Sequence, residues 1–128
     1  MSSEKYNRNL KNLKKALHQF GDALEEPESS IVRDASIQRF EFTYELCWKT
    51  LKSFLEEIHG IRALSPRLVF KEAFALSFID NEDIFIEMIE SRNTLAHTYN
   101  EEQAKGIYEK CPAYLLEIQK VYDNLAMQ

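Results

Sequence analysis

The segment Glu90-Ser91-Arg92-Asn93-Thr94-Leu95-Ala96-His97-Thr98-Tyr99 holds the side chains best suited to chemistry. The stripe Phe85, Met88, Ile89, Arg92, Leu95 and Ala96 predicts a helix, and Arg92 stands on it where a leucine is expected. A guanidinium is costly to bury without an anionic or hydrogen-bonding partner, so its position needs a reason. His97 follows five residues later, about 140° further round an ideal helix at roughly 100° per residue. The two side chains meet if the helix loosens before Asn100, or if two copies of the segment face each other across a two-fold axis. The second route builds a site from two subunits.

Such a pair suits metal-free RNA cleavage. That reaction needs a group that moves protons between the ribose 2′-OH, the phosphate and the leaving 5′ oxygen, and histidine is the side chain that does so at physiological pH. It also needs a fixed cation to hold the phosphate while charge builds, which a planar arginine fork supplies. Asn93 adds a neutral donor. A purely structural reading stands beside this one: an Arg near a helix end paired with a Glu, and a His that caps carbonyls. Glu41 and Glu45, one turn apart on an earlier helix, could pair with Arg92 or Arg39 in an ion-pair network.

The elements that must position these groups are helical. Hydrophobic residues make up 45% of the 128-residue chain and charged residues 29%, with only three Gly and three Pro, too few for a turn-rich β fold. The length fits one domain, 1–128. In the first helix Leu10, Leu13, Leu17, Phe20 and Leu24 form a stripe opposite Lys11, Lys14 and Lys15, a solvated face. Glu25-Glu26-Pro27-Glu28-Ser29-Ser30 breaks it, with a serine to cap the next helix. The second helix, about Ile31 to Ile58, carries Phe40, Tyr44, Cys47, Leu51, Phe54 and Ile58 on one stripe. Ile37, Phe42, Leu46, Trp48 and Leu55 spread apolar groups round the rest, which calls for neighbours on several sides, a second subunit among them. His59-Gly60 ends it, and Ser65-Pro66 opens a third helix lined by Leu68, Val69, Ala73, Phe74 and Phe78, expected to run to about Ile79. Asp80 is expected to cap the fourth, with Glu82 and Asp83 in its first turn. Asn100, with Gln103 three residues on, starts the last helix, where Ile107, Tyr108, Cys111, Tyr114 or Leu115, Ile118, Tyr122 and Leu125 face inward and Pro112 should introduce a kink.

Charge is −5 overall but uneven. Residues 1–20 set Lys5, Arg8, Lys11, Lys14 and Lys15 against Glu4, whereas residues 80–109 set eight acids against Arg92 and Lys105. Phosphate affinity comes from Lys and Arg, so any RNA contact must be local, with Arg33, Arg39, Lys49, Lys52, Arg67 and Lys71 as the cations to offset the acids. No apolar run is long enough to span a membrane, and Met1-Ser2-Ser3-Glu4-Lys5 lacks a signal-peptide core. Cys47 and Cys111 read as reduced, buried thiols, too few for a zinc site on their own, in a cytoplasmic protein. His18 and His59 have no motif around them.

Arg92-Asn93-Thr94-Leu95-Ala96-His97-Thr98-Tyr99 resembles the R-x4-H-x-Y signature of HEPN-domain proteins, and within them the short HepT-like toxins encoded beside a minimal nucleotidyltransferase antitoxin. Gln38-Arg39-Phe40-Glu41-Phe42-Thr43-Tyr44-Glu45-Leu46-Cys47-Trp48-Lys49-Thr50-Leu51 resembles that family's long second helix. Ser65-Pro66 and Met88-Ile89 keep the family's order, and the similarity runs from about Tyr6 to Leu125. The resemblance implies an all-α, five-helix up-and-down bundle with a long second helix, forming a homodimer with its motifs facing. It implies a type VII-like toxin, a metal-independent endoribonuclease with no cofactor, in which Arg92 and His97 match the catalytic pair and Asn93 the polar residue after the Arg. Tyr99 matches the tyrosine that the partner nucleotidyltransferase adenylylates, an anionic group that would fill the cleft and repel RNA phosphates. It equally implies the alternative of a non-catalytic substrate- or nucleotide-binding subunit of a two-component nucleotidyltransferase.

Overall fold

A computed structural model describes residues 4–97 and 100–128. The described chain is all helical: α1 (Glu4–Glu25), α2 (Ser30–His59), α3 (Pro66–Ala75), α4 (Glu82–His97) and α5 (Glu101–Ala126). No strand occurs among the described residues.

Helix ends follow local chemistry. The Ser29 side chain accepts from the Val32 backbone N–H at 3.0 Å, capping α2, and Gly60 closes it with φ 67°, a left-handed position glycine takes without steric cost. Ser65 accepts from Leu68 N–H at 3.3 Å with Pro66 in the first turn of α3. Asn100 accepts from Gln103 N–H at 2.8 Å to start α5, whose helical run continues across Pro112.

Two expected boundaries move. α3 ends at Ala75 rather than near Ile79, because Ser77 adopts φ 66° and Phe78 N–H bonds back to Ala73 O at 2.9 Å, the wrap that terminates a helix. Serine is an uncommon residue there, so the sequence carries no glycine to mark the stop. Asn81, not Asp80, caps α4, its Oδ1 accepting from Ile84 N–H at 3.4 Å, while Asp80 lies 3.8 Å from Lys120 on α5.

The short Glu26–Ser29 connection lays α1 against α2, the most extensive helix pairing, and α5 packs on both. Tyr6, Ala16 and Ala23 join the expected Leu13, Leu17 and Phe20 on the buried side of α1, and buried Ser36, Thr43 and Thr50 keep the facing side of α2 slim. An aromatic ladder crosses the core: Phe20 meets Phe40 at 6.3 Å between centroids, Phe40 meets Tyr44 at 6.0 Å, Tyr44 meets Phe70 on α3 at 6.1 Å, and Phe70 meets Phe85 on α4 at 5.0 Å. Burying each such ring is worth about 1.5–3 kcal/mol, so the ladder ties α4 to the bundle through α3. Ile58 on α2 and Leu68 and Phe74 on α3, expected to face inward, are exposed instead, because those helices lack a neighbour on these sides, and Phe42, whose place called for a further neighbour, is exposed in one chain as well. Among the described residues no helix is long and apolar enough to cross a membrane.

Candidate functional site

α4 is helical through His97, so it does not loosen between Arg92 and His97, and one chain does not bring them together. Arg92 turns toward α2. Its Nε lies 3.6 Å from Glu45 Oε1, the ion-pair partner expected on the second helix, with Glu41 close enough to feel its field. His97 is exposed at the C-terminal end of α4 and does not line the Arg92 cleft. Tyr99, like Thr98, lies outside the described residues.

Glu45 is the centre of the arrangement. Oε1 faces Arg92, while Oε2 accepts the indole N–H of Trp48 at 3.2 Å and lies 3.7 Å from Lys49 Nζ. The Arg92 side chain is 37% exposed and Glu45 34%, so the pair is half in water; pairs of this kind contribute at most about 1 kcal/mol to stability. What it does is orient. With Nε held at the base of the guanidinium, its position over the cleft is set.

The cleft has a volume of about 340 Å³. Arg92 and Asn93 of α4, Glu45 and Trp48 of α2, and Ser65 and Arg67 at the start of α3 meet in it. The sequence stretches that were far apart (the second-helix motif, Ser65-Pro66 and the start of R-x4-H) thus converge on one wall. Tyr44 and Ile89 form its floor, the Tyr44 hydroxyl pushed well above its ordinary range by burial and then by Glu45. It stays protonated, a neutral donor. Two guanidinium groups and one carboxylate line the cleft, with Glu41 close to Arg92, and the guanidinium forks suit an anion of phosphate size.

On the opposite side of α4 a buried hydrogen bond closes the contact with α5, beside a cleft of about 420 Å³ lined by Glu87, Ser91, Gln103 and Lys110 among others. Ser91 Oγ and Tyr114 OH lie 2.8 Å apart, and Tyr114 OH donates to Glu87 Oε1 at 2.9 Å. Tyr114 is fully buried, and burial raises its hydroxyl far above the ordinary range. This network fixes the rotation of α4 about its axis, and hence the direction in which Arg92 points. The sequence left Tyr114 and Leu115 as alternatives for the inward position; the polar Ser91 one residue before Arg92 was the available signal. Trp48 and Ser65 stood in the stretches that carry the resemblance and Arg67 among the cations to offset the acids, but the sequence did not place the three in one cleft.

Both cysteines are buried and free, burial pushing Cys111 up to about 12 and Cys47 higher still, so neither is a ready nucleophile. His18 pairs with Asp22 at 3.5 Å on the surface, and His59 rests edge-on against Phe54 and Phe78.

A family model described as nucleotidyltransferase substrate binding protein like matches residues 5–127. The chain belongs to this family. It is also similar to a relative from Haemophilus influenzae named "Probable ribonuclease HepT", 29% identical over 106 residues that cover 77% of this chain and 73% of that protein. A crystal structure of a Thermus thermophilus protein superposes with a TM-score of 0.83 at 33% identity, covering 88% of this chain and 98% of that one. A second structure, from Haemophilus influenzae and described as the fold of a substrate binding domain of a nucleotidyltransferase, has a TM-score of 0.66 at 23% identity, covering 94% and 96%, and shares the fold. This HepT-like chain therefore carries its R-x4-H segment on a helix whose arginine is anchored and whose histidine is presented outward.

Proposed function

We propose that this HepT-like chain is a metal-independent endoribonuclease toxin, a single helical domain that works as a cytoplasmic homodimer and is controlled by a cognate nucleotidyltransferase. The supporting observation is the division of labour on α4: Arg92, anchored by Glu45, faces a phosphate-sized cleft, while His97 stands exposed beyond it. Within one chain the pair is incomplete. A second copy laid against the exposed end of α4 supplies the missing imidazole, and exposed Phe42, one turn before Glu45 on α2, is an apolar group such a contact would cover.

In the reaction, Arg92 binds the scissile phosphate through its outer nitrogens, with Asn93 as a neutral donor. His97 takes the proton of the 2′-OH, whose oxygen bonds to phosphorus. The P–O5′ bond breaks, and the leaving oxygen takes the proton from the imidazolium that His97 has become, giving a 2′,3′-cyclic phosphate and a 5′-hydroxyl. Adenylylation of Tyr99, two residues from His97, would add an anion that excludes RNA and so silence the toxin.

Expressed alone, the wild-type chain is expected to arrest growth, and His97→Ala or Arg92→Ala to relieve it; purified protein should cut RNA equally with and without EDTA. Removing the general acid–base group should cost about 10²–10⁴-fold in rate. A harmless wild type that leaves RNA intact would overturn the nuclease reading. Adenylylation is tested separately, since Tyr99→Phe should abolish the mass that the partner adds, roughly 329 Da per group.

The second reading, a non-catalytic subunit that presents a substrate to the nucleotidyltransferase, is favoured by the description of the family itself and by the Glu45 carboxylate, which reduces the net charge of the cleft. Under that reading wild type is harmless, and Arg92→Ala lowers transfer by the partner without any RNA cleavage to lose.

A further inference from the structure

Beside the Arg92 cleft, between α1 and α2, lies a second groove of about 360 Å³. Lys5 of α1 and Lys49 and Lys52 of α2 line it against Glu56, an excess of positive charge in a protein whose net charge is −5. Trp48 lines both this groove and the Arg92 cleft, so the two are contiguous across one indole ring. The ring is half-buried, and its N–H is tied to Glu45 Oε2 at 3.2 Å, which fixes its plane at the junction.

We propose that this groove is a flanking subsite for single-stranded nucleic acid, in which a nucleobase stacks on Trp48 and the neighbouring phosphates lie along Lys5, Lys49 and Lys52. The inference rests on the reading of the Arg92 cleft as the place of the scissile phosphodiester. An aromatic face interleaved with cations is the arrangement that binds single strands without strict sequence preference: every base has a π-face, and the cations follow the backbone. Lys49 is able to take part because its contact with Glu45, 3.7 Å and exposed, is of the weak surface kind that a phosphate competes with easily. The groove also accounts for the route of an RNA strand on an acidic protein. The acids of residues 80–109 lie on α4 and α5 or, for Asp80, just before α4, whereas the strand leaves the cleft over α2 toward the basic end of α1.

Trp48 is the sole tryptophan, so the unmodified protein reports on its own junction. The probe is a short mixed-sequence oligoribonucleotide bearing 2′-O-methyl groups throughout, which cannot be cut. Titrating it into the full chain should quench tryptophan emission at the same concentration at which a fluorescein-labelled version gains anisotropy. Lys5→Ala/Lys52→Ala, chosen because Lys49 also touches Glu45, should weaken binding and flatten the dependence of log K on log salt by about 0.7 for each lost contact. Trp48→Ala should weaken binding about tenfold or more with the salt slope kept, and Trp48→Phe should restore part of it. Binding with unchanged emission and a slope indifferent to the lysines overturns the groove while leaving the cleft reading intact. The absence of any binding overturns both the groove and the cleft reading, and lysine variants with wild-type RNA binding overturn the groove alone. Binding and quenching by a protein that never cuts RNA keeps the subsite and overturns the nuclease.

Discussion

Ser91 and Arg92 are neighbours in the chain and opposites in the fold. Ser91 faces α5, where its bond to Tyr114 is buried and Tyr114 reaches on to a half-exposed Glu87, whereas Arg92 faces α2 and stands half in water across an open cleft from Glu45. Polar groups occur on both sides of α4, but only on the α5 side is a polar pair, Ser91 and Tyr114, buried and bonded within the protein. A satisfied network holds a helix in place. A half-exposed guanidinium, with Arg67 beside it in the cleft, stays open to a ligand. The closed face is thus the support and the open face the working surface, and mutations should separate the two.

The largest effect is expected on the closed face. Tyr114→Ala removes a fully buried ring that also packs on Phe40 at 5.0 Å, and should cost about 3–5 kcal/mol of stability by urea or thermal unfolding. A variant of unchanged stability would show that Tyr114 does not anchor α4. Next comes the open face. Glu45→Gln should change stability by less than about 1 kcal/mol, since the pair is half-exposed. Under the proposed nuclease reading, RNA cleavage should nevertheless fall on the order of ten- to a hundredfold, mainly in kcat, because the guanidinium is no longer held over the cleft. Glu45→Asp should recover part of that loss. Equal losses of stability and activity in Glu45→Gln would erase the distinction between the faces.

The sequence made the open face partly legible and the closed face hardly at all. Arg92 stood out because a cation on an apolar stripe is costly, and the same cost pointed to Glu41 and Glu45 as partners. Caps at Ser29, Ser65 and Asn100 and the glycine stop at Gly60 were readable because each is a local hydrogen bond or dihedral set by one residue type. The Ser91–Tyr114 bond was not, because it joins residues 23 apart on different helices and depends on how α4 and α5 are rotated. The Trp48 junction was hidden for a similar reason: an indole that links two grooves looks, in one dimension, like any other core aromatic. The end of α3 was misplaced because Ser77 adopts a left-handed φ with no glycine to announce it.

That turn provides a control remote from both faces. Ser77→Gly removes the steric cost of φ 66° and should stabilise the protein by about 0.5–1 kcal/mol, additively with Tyr114→Ala and, under the proposed nuclease reading, with no change in cleavage per folded molecule. Non-additivity, measured by unfolding the double variant, would mean that the α3–α4 turn and the closed face form one unit.

The smallest effect is electrostatic and distinguishes the faces most finely. Burial holds the Glu41 carboxyl above its ordinary range; Arg92 pulls it down and Glu45 pushes it up. The folded protein therefore keeps the Glu41 proton to a higher pH than the unfolded chain does. Its contribution to stability is fully present below the unfolded pKa and is lost as pH rises through the folded one. Arg92→Ala removes the lowering influence, so Glu41 should titrate still higher and the loss should extend further up the pH scale. Side-chain carboxyl NMR titration of Glu41 in wild type and Arg92→Ala measures this directly. Tyr114→Phe, which alters only the closed face, should leave the Glu41 titration where it is. A Glu41 indifferent to Arg92 but sensitive to Tyr114 would place the electrostatic unit on the wrong side of α4, and the anchored-arginine account of the cleft would fail with it.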